Sequence, residues 1–335
     1  SKDMKTWKPA PSPLSEKRLL DMAGNKASCG IWAPCLSYSD GIFYLVFTNV
    51  RSWNDGPWKD CPNFLTTAES IEGPWSDPVF MNASGFDASL FHDDDGKKWF
   101  VNMEWDYRQQ GPRQFSGILV QEYDCKAKKL VGKVHKIFLG TDIGLVEGPH
   151  LYKRDGWYYL VCAEGGTSYE HAITCARSKN LFGPYEVHPA NPLITSYGYD
   201  CKLKRAGHGS WCKSPDGKKD YLVYLCGRPL EGTERCVLGR ETGIAELEWK
   251  EGWPWVKQSD GTLKNCPPDY IELNGRGVVA PGCGVVHVAE KYEFKNKDFL
   301  AEFKTLRIPF DDKRFSLSER PGFLRIHGGQ SPSSC

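Results

Sequence analysis

The chain has 335 residues, 43 of them Lys or Arg against 42 Asp or Glu, and this near-neutral balance argues against a phosphate-backbone binder. No run approaches the roughly 20 consecutive apolar residues of a membrane-spanning helix, and the opening "SKDMKTWKPAPSPL" is too polar for a secretory signal, so a soluble chain is expected and the compartment is left open. The length allows one large all-β domain or two ordinary ones, and 12 Trp with 15 Tyr suit both a β-rich core and a sugar-stacking pocket.

In chain order, the first segment reads as the tail of a repeat unit whose beginning is absent, because Trp7 falls where Trp75 and Tyr185 fall in "SIEGPWSDPV" (70–79) and "NLFGPYEVHPANPL" (180–193). Four hairpins follow, at "SYSDGIFYLVFT" (37–48), "HDDDGKKWFVNM" (92–103), "YKRDGWYYLVCA" (152–163) and "KSPDGKKDYLVY" (213–224). Asp-Gly between strand-formers is a strong hairpin signal, since glycine accepts the positive φ of a tight turn. The glycines, Gly41, Gly96, Gly156 and Gly217, are 55, 60 and 61 residues apart, with no convincing amphipathic helix between them. Such a period predicts an all-β protein, a β-propeller. Four hairpin units and one orphan tail make five blades, the first incomplete, over residues 1–275. After the Gly- and Pro-containing stretch at 275–284, "FLAEFKTLRIPF" (299–310) and "RPGFLRIHGG" (320–329) read as strands opening a C-terminal β-sandwich domain, 285–335, truncated like the first blade.

Counting back nine residues from each hairpin glycine gives Trp32, Asp87, Glu147 and His208, each followed by a small residue, Ala33, Ala88, Gly148 and Gly209. The first strand of a blade lines the central channel, where small residues relieve crowding. This register therefore predicts an indole, two carboxyl groups and an imidazole in one place, where an interior repeat position would ordinarily be aliphatic.

Thirteen cysteines do not form a disulfide framework or zinc site on this reading. Cys162, Cys175 and Cys226 sit inside apolar runs and no C-x-x-C pair occurs, so they are expected to be small buried thiols.

The ordered motifs "GIWAPCLSY", "GFDASLFHDDDG", "EGPHLYKRDGWYYL", "AEGGTSYEHA", "AGHGS" and "CGRPL" resemble those of glycoside hydrolase family 43, in its β-xylosidase and α-L-arabinofuranosidase branch. The resemblance runs the length of the chain and implies a five-bladed propeller followed by a β-sandwich. It implies that Glu147 is the general acid, that Asp87 adjusts its pKa and orients the sugar, and that Trp32, Phe86, His208 and Arg228 contact substrate. In some relatives the histidine of "AGHGS" lies beside a calcium or a water, so His208 is an indirect candidate for a structural calcium; no cofactor is required for chemistry. The implied partner is a xylo-oligosaccharide or arabinoxylan fragment, cleaved at terminal β-1,4-xylose, with α-L-arabinofuranose also in view and a homo-oligomer left open.

Inversion, the family's mode, needs a second carboxylate roughly 6.5–9.5 Å from the acid to activate water. The family's general base lies in an Asn-Pro-Asp-Pro type motif that this chain lacks, and neither Asp3 nor Asp21 is assigned to it. The alternatives are an arabinan-degrading hydrolase of the same family and a non-catalytic carbohydrate-binding propeller. The latter has no need of two carboxyl groups in register. Kelch, WD and invertase-like signatures are absent.

Overall fold

Each Asp-Gly closes the hairpin expected of it. In the computed structural model, which describes residues 10–53, 56–273, 276–279, 292–301 and 303–328, β1 (Gly30–Ser39) and β2 (Ile42–Val50) are joined through Asp40 and Gly41 at φ of 54° and 81°. Two successive positive φ values make the two-residue turn whose twist matches the strands. With β3 (Asn63–Ala68) and β4 (Val79–Phe80) they form one antiparallel sheet in chain order. A second sheet follows, β5 (Ser89–His92), β6 (Lys98–Trp105), β7 (Phe115–Asp124) and β8 (Lys129–Phe138). The third holds β9 (Glu147–Arg154), β10 (Trp157–Glu164), β11 (Ala172–Ser178) and β12 (Glu186–Val187), with β13 (Ile194–Thr195) also on β11. The fourth is β14 (Lys204–Lys213), β15 (Asp220–Gly227), β16 (Glu241–Lys250) and β17 (Trp253–Val256). Two small hairpins complete the strands, β18 (Tyr270–Leu273) with β19 (Arg276–Val279) and β20 (Phe315–Ser316) with β21 (Arg325–Ile326).

The four larger sheets are propeller-like blades, each a meander with its first strand at one edge. The described residues fall into two compact units, one within Ser84–Val285 and one formed from Lys8–Ala83 with Val286–Cys335. In the first unit β9 packs on β5 and β14, so the leading strands of three successive blades adjoin. Its core lies between the third and fourth blades, where Tyr159, Val161, Ile173, Leu193, Leu222, Tyr224 and Trp253 are buried together. Cys175 and Cys226 join that core as free thiols, and Cys162 is likewise buried and free. In the second unit Leu19, Leu45, Phe47, Ala68 and Trp75 form a separate core.

The leading strands share an irregularity. In each, one extra residue interrupts the ladder at the predicted register: between Trp32↔Thr48 and Cys35↔Val46 on β1, between Glu147↔Ala163 and His150↔Val161 on β9, and between Gly207↔Leu225 and Gly209↔Tyr224 on β14. Before β5 the same slip lies between the bond from Met103 N–H to the Phe86 carbonyl, 3.2 Å, and the pair Ser89↔Val101. The bulged residues are left-handed: Ala33 at φ 38°, Asp87 at 55°, Gly148 at 56° and His208 at 45°. A bulge re-aims side chains out of the pleat.

The C-terminal segment departs from the expected strand at 299–310. Lys297–Ala301 is a 3₁₀ turn, Phe303 N–H bonds the Phe299 carbonyl at 2.9 Å, and among the described residues no strand follows before Phe315. Phe299 and Phe303 are spaced for one side of a helical turn, and their rings meet each other and Phe294 edge to face. Trp7, Asp3 and most of the expected boundary at 275–285 lie outside the described residues.

A test of this packing is Gly85→Ala, whose added carbon would sit 2.0 Å from the Met103 carbonyl oxygen. Backbone cannot yield there without parting the strand from its neighbour, so the variant should lose about 1–3 kcal/mol in thermal or urea unfolding. An unaltered transition would contradict the close approach.

Candidate active site

The site is assembled where the bulges of the second, third and fourth blades meet. The left-handed turn at Asp87 places its carboxylate against the next blade, where Oδ2 accepts the Gly148 N–H at 3.2 Å. Ser89 strengthens that junction by donating to the Pro149 carbonyl at 2.6 Å. His208 comes from the fourth blade, its Nδ1 3.9 Å from the same Asp87 oxygen. Its ring covers Gly148 so closely that a β-carbon there would lie 2.8 Å from Nε2. At this position glycine is required twice, by φ and by the imidazole above it.

Glu147 opens β9 opposite Ala163 and is almost entirely buried, as is Asp87. Among the described residues no donor bonds the Glu147 carboxyl. Burial, and then the charge of Asp87, push its pKa well above the ordinary carboxylate range, with Arg240 opposing. Burial also raises Asp87, but His208, the Gly148 N–H and Arg240 all favour its charged form. Two carboxyl groups in one dry place cannot both ionise, so the proton rests on Glu147 and the charge on Asp87. His150, two residues beyond the bulge, is half-buried, and its pKa is depressed to about 3 by burial and by His208. It stands as a neutral imidazole, 3.4 Å from Ser210 Oγ and 6.4 Å ring to ring from His208.

Three of the four register residues that lie in or near the expected channel are thus brought together: Asp87, Glu147 and His208. Trp32 belongs to the other compact unit, where its indole N–H donates to the Ser28 carbonyl at 3.0 Å and its ring meets Trp53 edge-on at 4.7 Å. Phe86 is a correction. It is 1% exposed, between Trp105 and Phe115, and so supports the strand that carries Asp87 from inside the blade. Arg228 is held by the next strand: Nε and Nη2 grip Glu241 at 3.0 and 2.6 Å. The calcium considered as an indirect neighbour of His208 finds few ligands there, since calcium takes about six to eight oxygen ligands and the groups gathered here are two imidazoles and two carboxyl groups, one of which already accepts the Gly148 N–H. No cluster of three metal-binding side chains occurs among the described residues. Asp21 is exposed, accepting the Ala23 N–H at 3.1 Å and facing Lys17 at 3.4 Å.

Arg240 was not legible as a site residue. It sits at the end of a loop, immediately before β16, with no place in the hairpin register. It also lines a cavity of about 270 Å³ with Thr167, His171, Arg205 and Cys236.

Buried carboxyl groups brought together on the edges of propeller-like blades are what the comparison with known proteins has to match. The model of "Glycosyl hydrolases family 43" matches residues 1–254, and that of "Beta xylosidase C-terminal Concanavalin A-like domain" matches residues 291–335. The chain belongs to glycoside hydrolase family 43. It is 58% identical over its whole length to "Xylosidase/arabinosidase 43B" of Humicola insolens, covering 60% of that protein, and 46% identical to "Beta-xylosidase" of Bacillus subtilis (strain 168), covering 62%. The solved structure of xylan beta-1,4-xylosidase from Bacillus Halodurans C-125 is similar at 51% identity and a TM-score of 0.86, over 99% of this chain and 62% of that one. The chain therefore spans about three fifths of the length of these relatives.

The protonation of Glu147 has a consequence for stability. Its folded pKa is raised above the ordinary 4.5, so between 4.5 and the folded value unfolding releases a proton and the unfolded state gains as pH rises. Glu147→Gln removes that term, worth about 1.4 kcal/mol per pH unit. Its melting temperature should exceed the parent's at pH 7, and the gain should vanish as pH falls through 4.5. A gain that does not vary with pH would mean Glu147 is ionised in the folded protein.

Proposed function

We propose that this protein is an exo-acting glycosidase that removes terminal β-1,4-xylose, and α-L-arabinofuranose, from xylo-oligosaccharides or arabinoxylan with inversion. The observation that carries it is the buried pair Asp87 and Glu147, of which only Asp87 accepts a backbone N–H, that of Gly148, and whose burial and mutual charge favour a proton on Glu147. In this reading Glu147 gives that proton to the departing glycosidic oxygen, because an alkoxide of a sugar leaves poorly and the acid must still be protonated at working pH. Asp87, held by the Gly148 N–H, keeps the charge that maintains the proton on Glu147 and orients the sugar. Once the proton has left, the new negative charge on Glu147 faces Arg240, which favours it. His208 shields the pair from the fourth blade, and Trp32 and Arg228 remain proposed sugar contacts. No described residue is assigned as the water-activating base.

The names of the relatives support xylose and arabinose as the sugars, and that of the Bacillus Halodurans protein supports the β-1,4 linkage. The same reading includes a five-bladed propeller over 1–275 and a C-terminal sandwich over 285–335, supported by the repeat period and by the domain model at 291–335.

Two measurements on the full-length protein test the roles. Glu147→Ala should depress hydrolysis of xylobiose at least about 100-fold more than that of an aryl xyloside with a good leaving group, which needs little protonation. Equal losses would remove Glu147 from proton donation. Asp87→Asn deletes the charge that raises Glu147, so the alkaline limb of the pH–rate profile should move to lower pH. A limb that stays in place while only KM rises would make Asp87 a binding residue.

A further inference from the structure

A second carboxylate lies next to the site and takes no part in the chemistry described above. Glu164 ends β10 and is fully buried. Its carboxylate accepts three hydrogen bonds: the Thr141 N–H on Oε1 at 2.7 Å, the Thr141 hydroxyl on Oε2 at 2.6 Å, and the Thr174 hydroxyl on Oε2. Thr174 is itself fixed by Asn191, whose Nδ2 donates to its oxygen at 3.1 Å. The chain at 140–146 runs directly over this carboxylate, since a β-carbon at Gly140 would lie 2.7 Å from Oε1. Three residues on, the same loop is tied again, the Gly144 carbonyl accepting the Gly165 N–H at 2.8 Å. Leu145 then turns through φ 55° and delivers the chain into Glu147.

We propose that Glu164 is the positioning residue for Glu147: by clamping Thr141 it fixes the loop that aims the general acid. This rests on the reading of Glu147 as proton donor. Between Thr141 and the buried Val146 the loop is otherwise tied, among the described residues, to β10 and its end only at Gly144, since Ile143, Gly144 and Leu145 are partly buried and Leu145 is left-handed, a conformation that costs about 1–3 kcal/mol unless its surroundings hold it. A buried carboxylate has about four acceptor sites and is costly unless they are filled. Those demands act on one threonine, whose backbone and side chain are bound together. Glu164 and Glu147 hang from one pair of strands, with Glu147 opposite Ala163, so a shift of the clamp moves the acid. Proton transfer is intolerant of such shifts, and a displacement of about 1 Å can cost 10²-fold.

The experiment uses the full-length protein and two substrates, xylobiose and an aryl xyloside with a good leaving group. Glu147→Ala is the reference. Glu164→Ala and Thr141→Val should each lose at least about 10-fold more activity on xylobiose than on the aryl glycoside, because what they misplace is the proton. Thr141→Val keeps the backbone bond and sits at a half-buried position, so it reports even where Glu164→Ala fails to fold. Glu164→Gln should recover most of the difference, its amide oxygen taking the Thr141 N–H and its NH₂ donating to the two hydroxyl oxygens. Equal losses on both substrates in Thr141→Val, with Glu147→Ala still selective, would overturn the clamp. Loss of selectivity in Glu147→Ala itself would instead sink the general-acid reading on which the clamp stands.

Discussion

The hydrogen bond from Gly148 N–H to Asp87 is the contact on which the site depends. It joins the second blade to the third through a donor that cannot titrate, and it falls on only one of two buried carboxyl groups. Burial alone would raise both acids and leave the proton undecided. A fixed N–H on Asp87, with His208 on the same oxygen, breaks that symmetry and sends the proton to Glu147. The bond exists only because Gly148 and Asp87 both leave the pleat. A regular strand would turn the Gly148 N–H back into its own sheet and point the carboxylate along the blade.

Those departures have a cost, and the fold concentrates it. Asp87 and His208 are non-glycine residues at positive φ, each costing about 1–3 kcal/mol in isolation. In the third and fourth blades the strands behind the leading one are regular. β10 and β11 pair without a slip from Tyr158↔Ser178 to Glu164↔Ala172, and β15 and β16 do so from Asp220↔Leu247 to Cys226↔Glu241. The second blade, which carries Asp87, slips again between Met103 and Trp105 where β6 meets β7. In the third and fourth blades the bulge lies on the leading strand, while the regular ladders next to it pack the aromatic core. Strain at the functional edge is held by order one and two strands away.

Much of this was legible because both signals are local. Asp-Gly turns mark where a blade's first hairpin closes, and the distance from that turn to the bulge is fixed by strand length, so counting back nine residues found Asp87, Glu147 and His208. Register is silent where a contact depends on more than strand length. Phe86 shares a motif with Asp87, yet alternation sends neighbouring side chains opposite ways, and it points into the blade. Arg228 follows an apolar strand, and the ion pair with Glu241 that fixes it comes from the adjoining strand. Arg240 acts through space from a loop whose path no periodicity encodes. The segment 299–310 reads as a strand by composition, and the contact of Phe299 with Phe303 makes its first part a helical turn. Tertiary partners decided each of these cases.

Glu147 and Glu164 show how the same side chain is given opposite work by its donors. Both are buried, and both belong to the strand pair β9 and β10. Glu164 meets a backbone N–H and two hydroxyls, and a carboxylate so supplied is held in place. Glu147 meets no donor among the described residues. In the proposed reading Glu147 carries a proton, and a glycosidic oxygen offers the lone pair that takes it, beside an Asp87 charge that opposes its early loss. The filled acceptor sites of Glu164 would then hold the strand pair still while that oxygen arrives and leaves.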